Sequence, residues 1–108
     1  MILFKPEHVP MILEGRKAQT RRLGKRRWKV GSTHQAKTTL FGKAFAQLRV
    51  TGVRQQRLCD ISDEDVKCEG YLTRADYYDA FVLINRLGTY TLGELVWVID
   101  FELVKDAA

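Results

Sequence analysis

The stretch LVWVIDFEL, residues 95–103, sets Leu95, Trp97, Ile99, Phe101 and Leu103 on one side of a two-residue repeat and Val96, Val98, Asp100 and Glu102 on the other. That period belongs to a strand, because successive side chains leave opposite faces of a pleated backbone. Upstream of it the period changes. Between Cys59 and Leu87, Ser62 followed by Asp65 resembles a capping box opening a helix that Gly70 closes. Thr73 followed by Asp76 opens a second helix, on which Tyr77, Phe81 and Ile84 share one face. Two consecutive helices joined by a short turn therefore precede the final strand.

Earlier still, AFAQLRVTGV (44–53) alternates Ala46, Leu48 and Val50 with Gln47, Arg49 and Thr51, a half-buried strand until Gly52 permits a bulge or bend. From Lys17 to about Val53 strand-like pieces are punctuated by Gly24, Gly31, Gly42 and Gly52. Ile2–Phe4 reads as a first strand. KPEHVPMILEG (5–15) reads as a short helix with Pro6 or Pro10 in its first turn and Gly15 just past its end, although Pro10 inside the helix would kink it. The order β, short α, several β, two α, β predicts an α+β domain built on a small curved sheet or barrel of mainly antiparallel strands. The 108 residues suffice for a single domain, taken as 1–108.

A hydrophobic content of 45% with 29% charged residues is that of a folded, soluble chain. Neither a signal-peptide h-region nor an apolar stretch of membrane-spanning length is visible, so a cytoplasmic location with no membrane partner is expected. Cys59 and Cys68 lack a CxxC spacing, and His8 and His34 lie far apart, so no metal site is expected. Charge is unevenly placed. Residues 1–60 carry fourteen Lys or Arg against three acids, whereas residues 61–108 carry four against ten, so a net +11 precedes a net −6. Such asymmetry focuses a positive field that attracts a polyanion, of which nucleic acid is the commonest.

The densest part of that field is GRKAQTRRLGKRRWKVG (15–31), with eight cations and no acid. Arg16, Arg21, Lys25, Arg26, Arg27 and Lys29 are its candidate phosphate contacts, and Trp28 either stacks on an unpaired base or belongs to the core. Tyr71 and Tyr90 are further candidates for stacking. Gly15, Lys17, Thr20 and Arg22 within this run are spaced G-x-K-x-x-T-x-R. This segment, with the opening strand and helix, the KVG at 29–31, the paired helices near CEGY and the closing strand, resembles the ASCH domain family.

The resemblance implies a PUA-like β-barrel and an association with RNA. Many ASCH domains carry Glu where this chain has Thr20, and Thr there is similar to a branch that hydrolyses N4-acetylcytidine without metal or cofactor. It implies Lys17, Thr20 and Glu69 as the catalytic set, with Glu64 as the alternative carboxylate, and Gly15 and Arg22 as substrate-binding residues. A threonine hydroxyl needs a base, and a lysine amine can serve when burial and neighbouring cations lower its pKa. In a regular strand, however, Lys17 and Thr20 would point to opposite faces, so the chain must turn or bulge between them. Glu69 at a helix end opposes the macrodipole, which makes Lys17 a natural partner. The substrate is expected to be RNA or a modified nucleoside. A non-catalytic RNA-binding module and a ribonuclease are the alternatives.

Overall fold

The computed structural model describes residues 1–85 and 93–104. Along the chain run β1 (Ile2–Leu3), a 3-10 turn (Pro6–His8), α1 (Val9–Leu13), β2 (Gln19–Arg22), β3 (Thr33–Lys37), β4 (Ala46–Arg57), a 3-10 turn (Leu58–Asp60), α2 (Asp63–Cys68), α3 (Arg74–Asn85) and β5 (Leu95–Leu103). The strands form one sheet in the order β1-β3-β4-β5-β2. Only the β1–β3 pair is parallel, with Ile2 opposite Ala36; the other three are antiparallel. This is the curled, mainly antiparallel half-barrel that the element order implies.

The two prolines act separately. Pro6 starts the 3-10 turn and Pro10 lies in the first turn of α1, so two short helical pieces replace one kinked helix. The bulge lies where Gly52 suggests it, as a register shift between Val50 and Gly52, but β4 continues through it to Arg57. The extra residue bends the strand and lets one ladder serve a strongly curved sheet. Both predicted caps form: Ser62 Oγ accepts from the Asp65 amide at 3.1 Å and Thr73 Oγ1 from the Asp76 amide at 3.2 Å. Tyr77 and Phe81 are buried on one face of α3. The side chain of Ile84 and all of Tyr90 lie outside the described residues.

β5 spans the whole alternating stretch, Leu95–Leu103. Val96 and Val98 are as buried as Ile99 and Phe101, so the strand has no polar face over its first half. The cause is its place in the fold: β5 lies between β4 and β2, and the helices cover the face that carries Val96. Two apolar clusters result. Ile2, Phe4, Ile12, Trp28, Leu48, Val50, Ile99 and Phe101 fill the concave side, and Leu58, Ile61, Val66, Tyr77, Phe81 and Val96 fasten α2 and α3 to the sheet. At the open side of the half-barrel, Arg22 of edge strand β2 donates from Nη2 to the Leu3 carbonyl of edge strand β1 at 2.6 Å. Its guanidinium lies 5.5 Å from the Phe4 ring centroid. Among the described residues no helix is long and apolar enough to cross a membrane.

Two turns with positive φ bring the site together. Gly15 (φ +80°) ends α1 and Gly70 (φ +97°) ends α2. A Cβ at Gly15 would meet nothing within 4 Å, whereas one at Gly70 would come within 2.8 Å of Met11 Sδ. Gly15→Ala should therefore cost about 1 kcal/mol, from backbone strain alone. Gly70→Ala adds displacement of Met11 and should cost about 2 kcal/mol or more, with urea denaturation ranking the pair.

Candidate functional site

Lys17 lies outside β2. After Gly15 the amides of Arg16 and Lys17 both donate to the Met11 carbonyl, at 2.9 and 3.1 Å, and the Ala18 amide donates to Cys68 O at 3.0 Å. That last bond ties the segment before β2 to the end of α2. Lys17 Nζ then donates to Glu69 Oε1 at 3.0 Å, Glu69 O at 2.7 Å and Gln19 O at 3.2 Å. Three acceptors match the three protons of an ammonium. Glu69 is the C-cap of α2, so the lysine offsets both a carboxylate and a terminal carbonyl at the negative end of the helix.

The second oxygen of Glu69, Oε2, accepts from Arg21 Nη1 at 2.9 Å. Arg21 has no exposed side chain and also donates to Asp65 Oδ2 at 3.2 Å, to Gln56 Oε1 and to Gln19 Oε1. Lys17 and Glu69 are each 3% exposed. Burial draws the Lys17 pKa below its ordinary value; Glu69 opposes this, and Arg22 and Arg21 reinforce it.

Thr20 and Arg22 share the other face of β2, where Arg22 Nε donates to Thr20 Oγ1 at 3.2 Å. Lys17, Thr20, Arg22 and Glu69 nevertheless line one cavity of about 360 Å³. The odd spacing of Lys17 and Thr20 does not separate them, because Lys17 precedes the strand and β2 is a sheet edge. The size is that of a small-ligand site, and Phe4, Tyr71, Tyr77 and Phe81 supply aromatic walls for it.

Other expectations are revised. Gly15 is exposed and does not line the cavity, so its part is in the backbone turn and not in a substrate contact. Arg21 is buried in the ionic cluster and cannot serve as a surface phosphate contact. Trp28 belongs to the core at 8% exposure, so it offers no face to a base. Arg16, Lys25, Arg26, Arg27 and Lys29 are exposed. Of these, Arg16 pairs with Glu14 at 2.8 Å, while Arg26 donates to the Trp28 carbonyl and lies over the Trp97 ring. Glu64 is exposed and does not line the cavity, whereas Glu69 does. Tyr71 is half-buried in the cavity wall.

His8, Phe4 and Tyr77 also line the cavity and carry no sequence signal for that placement. His8 stands 5.5 Å from Tyr71, edge to face, and its pKa is lowered to about 4 by burial first, then by Lys17, Lys5 and Arg22. An unfolded histidine titrates near 6.5, so between those values the unfolded chain binds the extra proton. Stability from this residue is complete above about pH 6.5 and falls as pH drops toward 4. His8→Phe should flatten the urea midpoint against pH between about 5 and 7, where carboxylates contribute little.

No protein-family model and no curated protein matches the sequence. Solved structures do match the fold. An Enterococcus faecalis V583 protein of family model DUF984 is 18% identical, with a TM-score of 0.73 over 91% of this chain and 67% of its own. The ASCH domain from Lactobacillus crispatus JV V101 is 16% identical, with a TM-score of 0.65 over 88% and 69% of the two chains. A mutant ASCH protein from Zymomonas mobilis is 16% identical, with a TM-score of 0.66 over 96% and 70%. At these identities the shared property is the fold, and the chain folds as ASCH domains do.

Proposed function

We propose that the cavity binds a modified pyrimidine nucleoside, free or within RNA, and hydrolyses an N4-acylated cytidine. The observation that supports this is the meeting of Lys17, Thr20 and Glu69, contributed by a turn, a strand and a helix end, around a cavity of nucleoside size. At rest the amine is an ammonium with three acceptors. Burial loosens its hold on one proton, and Glu69 Oε1 at 3.0 Å is positioned to take it.

The neutral amine then receives the Thr20 proton as the hydroxyl oxygen bonds to the acyl carbon. Arg22, already against Thr20, donates to the developing oxyanion. Collapse breaks the carbon–nitrogen bond, and the leaving N4 of cytidine takes from Lys17 the proton that came from Thr20. Water gives a proton to Lys17 as its oxygen bonds to the acyl carbon, and the departing Thr20 oxygen takes that proton, so that amide plus water becomes amine plus carboxylic acid, which releases a proton to solvent as carboxylate. A non-catalytic RNA-binding module is the second reading, favoured by the exposed Lys25, Arg27 and Lys29, which a free nucleoside does not need.

Purified protein should release acetate from N4-acetylcytidine, and Lys17→Met and Thr20→Ala should each lower kcat by roughly a thousandfold while circular dichroism shows retained folding. Absence of acetate from the unmodified protein refutes the hydrolase reading. The two readings also separate by salt. A phosphate-contacting module should lose RNA affinity steeply with added salt, and neutralising Lys25, Arg27 and Lys29 together should reduce the slope by about three. Nucleoside affinity should be nearly flat in the same titration, and shortening of the RNA on a gel would point to a ribonuclease instead.

A further inference from the structure

Tyr77 presents a buried hydroxyl with no protein partner, alone among the described buried side chains. The residue is 3% exposed and forms part of the cavity wall. Its ring is fixed from several sides: Tyr71 at 5.5 Å and 65°, Tyr78 at 6.0 Å, and Phe81 at 6.0 Å. Such packing holds the hydroxyl in place without using it. Glu69, held by Lys17 on one oxygen and by Arg21 on the other, does not accept from it. Burial, and then Glu69, raise the phenol pKa well above its ordinary value, so the group keeps its proton as a donor.

A buried donor in the wall of a cavity, left unpaired by the protein itself, is an arrangement that distinguishes a ligand bearing an acceptor from one lacking it. The partner left unpaired by the wrong ligand is a buried polar group. We propose that Tyr77 selects the base, its hydroxyl donating to a ring carbonyl oxygen of a pyrimidine held against Phe4, Tyr71 and Phe81. This rests on the reading of the cavity as a nucleoside site, and it adds the group that would favour cytidine over adenosine, whose base has no carbonyl. Tyr77 would touch the base and take no part in the proton transfers, so its loss should act on binding.

The test compares the unmodified protein with Tyr77→Phe. Calorimetric titration of cytidine and adenosine should show cytidine preferred by the unmodified protein, and Tyr77→Phe should weaken cytidine binding about tenfold, leaving adenosine unchanged. With N4-acetylcytidine, KM should rise about tenfold with kcat within twofold. The unliganded variant should melt at the same temperature or higher, since an unpaired buried hydroxyl is lost. Equal cytidine affinity in the two proteins overturns the inference, as does a lower melting temperature of the variant. Acetate release with an unchanged KM overturns it while sparing the hydrolase. Tyrosine-dependent cytidine binding without acetate release sustains it and rejects the hydrolase. Failure of the unmodified protein to bind either nucleoside rejects both.

Discussion

The buried ionic cluster of Lys17, Glu69 and Arg21 is the constraint around which the rest of the molecule is arranged. Charges removed from water are tolerated only when they meet opposite charges and fill their hydrogen-bonding positions. Here each carboxylate oxygen of Glu69 has one cation, and Lys17 reaches the helix terminus besides. Neither the turn before β2 nor the end of α2 can shift alone without stranding a charge. Desolvation offsets much of the attraction within such a cluster, whereas removing one partner strands a buried charge. Its exposed continuation, from Asp65 to Arg54 at 3.1 Å, contributes little to stability.

The architecture was legible in the sequence where local chemistry acts by itself. The Ser62 and Thr73 caps, the Gly52 bulge and the turns at Gly15 and Gly70 depend on neighbours a few residues away, and all are present. The β5 alternation identifies the strand but not which faces are covered, and helices packed on one side bury Val96 as well. Arg21 and Arg22 show the same limit. The two-residue period correctly separates them, yet it cannot say that one face holds buried acids and the other the Leu3 carbonyl. His8 and Tyr77 joined the cavity through the approach of segments about seventy residues apart, which no local spacing encodes.

The positive field divides by depth. Arg21 is enclosed by acceptors, Lys17 meets the end of a helix, and Lys25, Arg27 and Lys29 remain at the surface. A count of cations in the sequence merges these, although burial gives them opposite physical meanings. Inside, each is a structural charge with a fixed partner; outside, each is a screened charge whose effect falls with ionic strength.

Arg22 makes two contacts from one guanidinium. The same guanidinium that meets Thr20 also fastens one rim of the half-barrel to the other through Leu3. Mechanical integrity and the proposed chemistry therefore meet at a single side chain: whatever tugs on its planar head is felt along the seam between the first two strands. A replacement side chain would have to keep both contacts, to Thr20 and to the Leu3 carbonyl, at the same time.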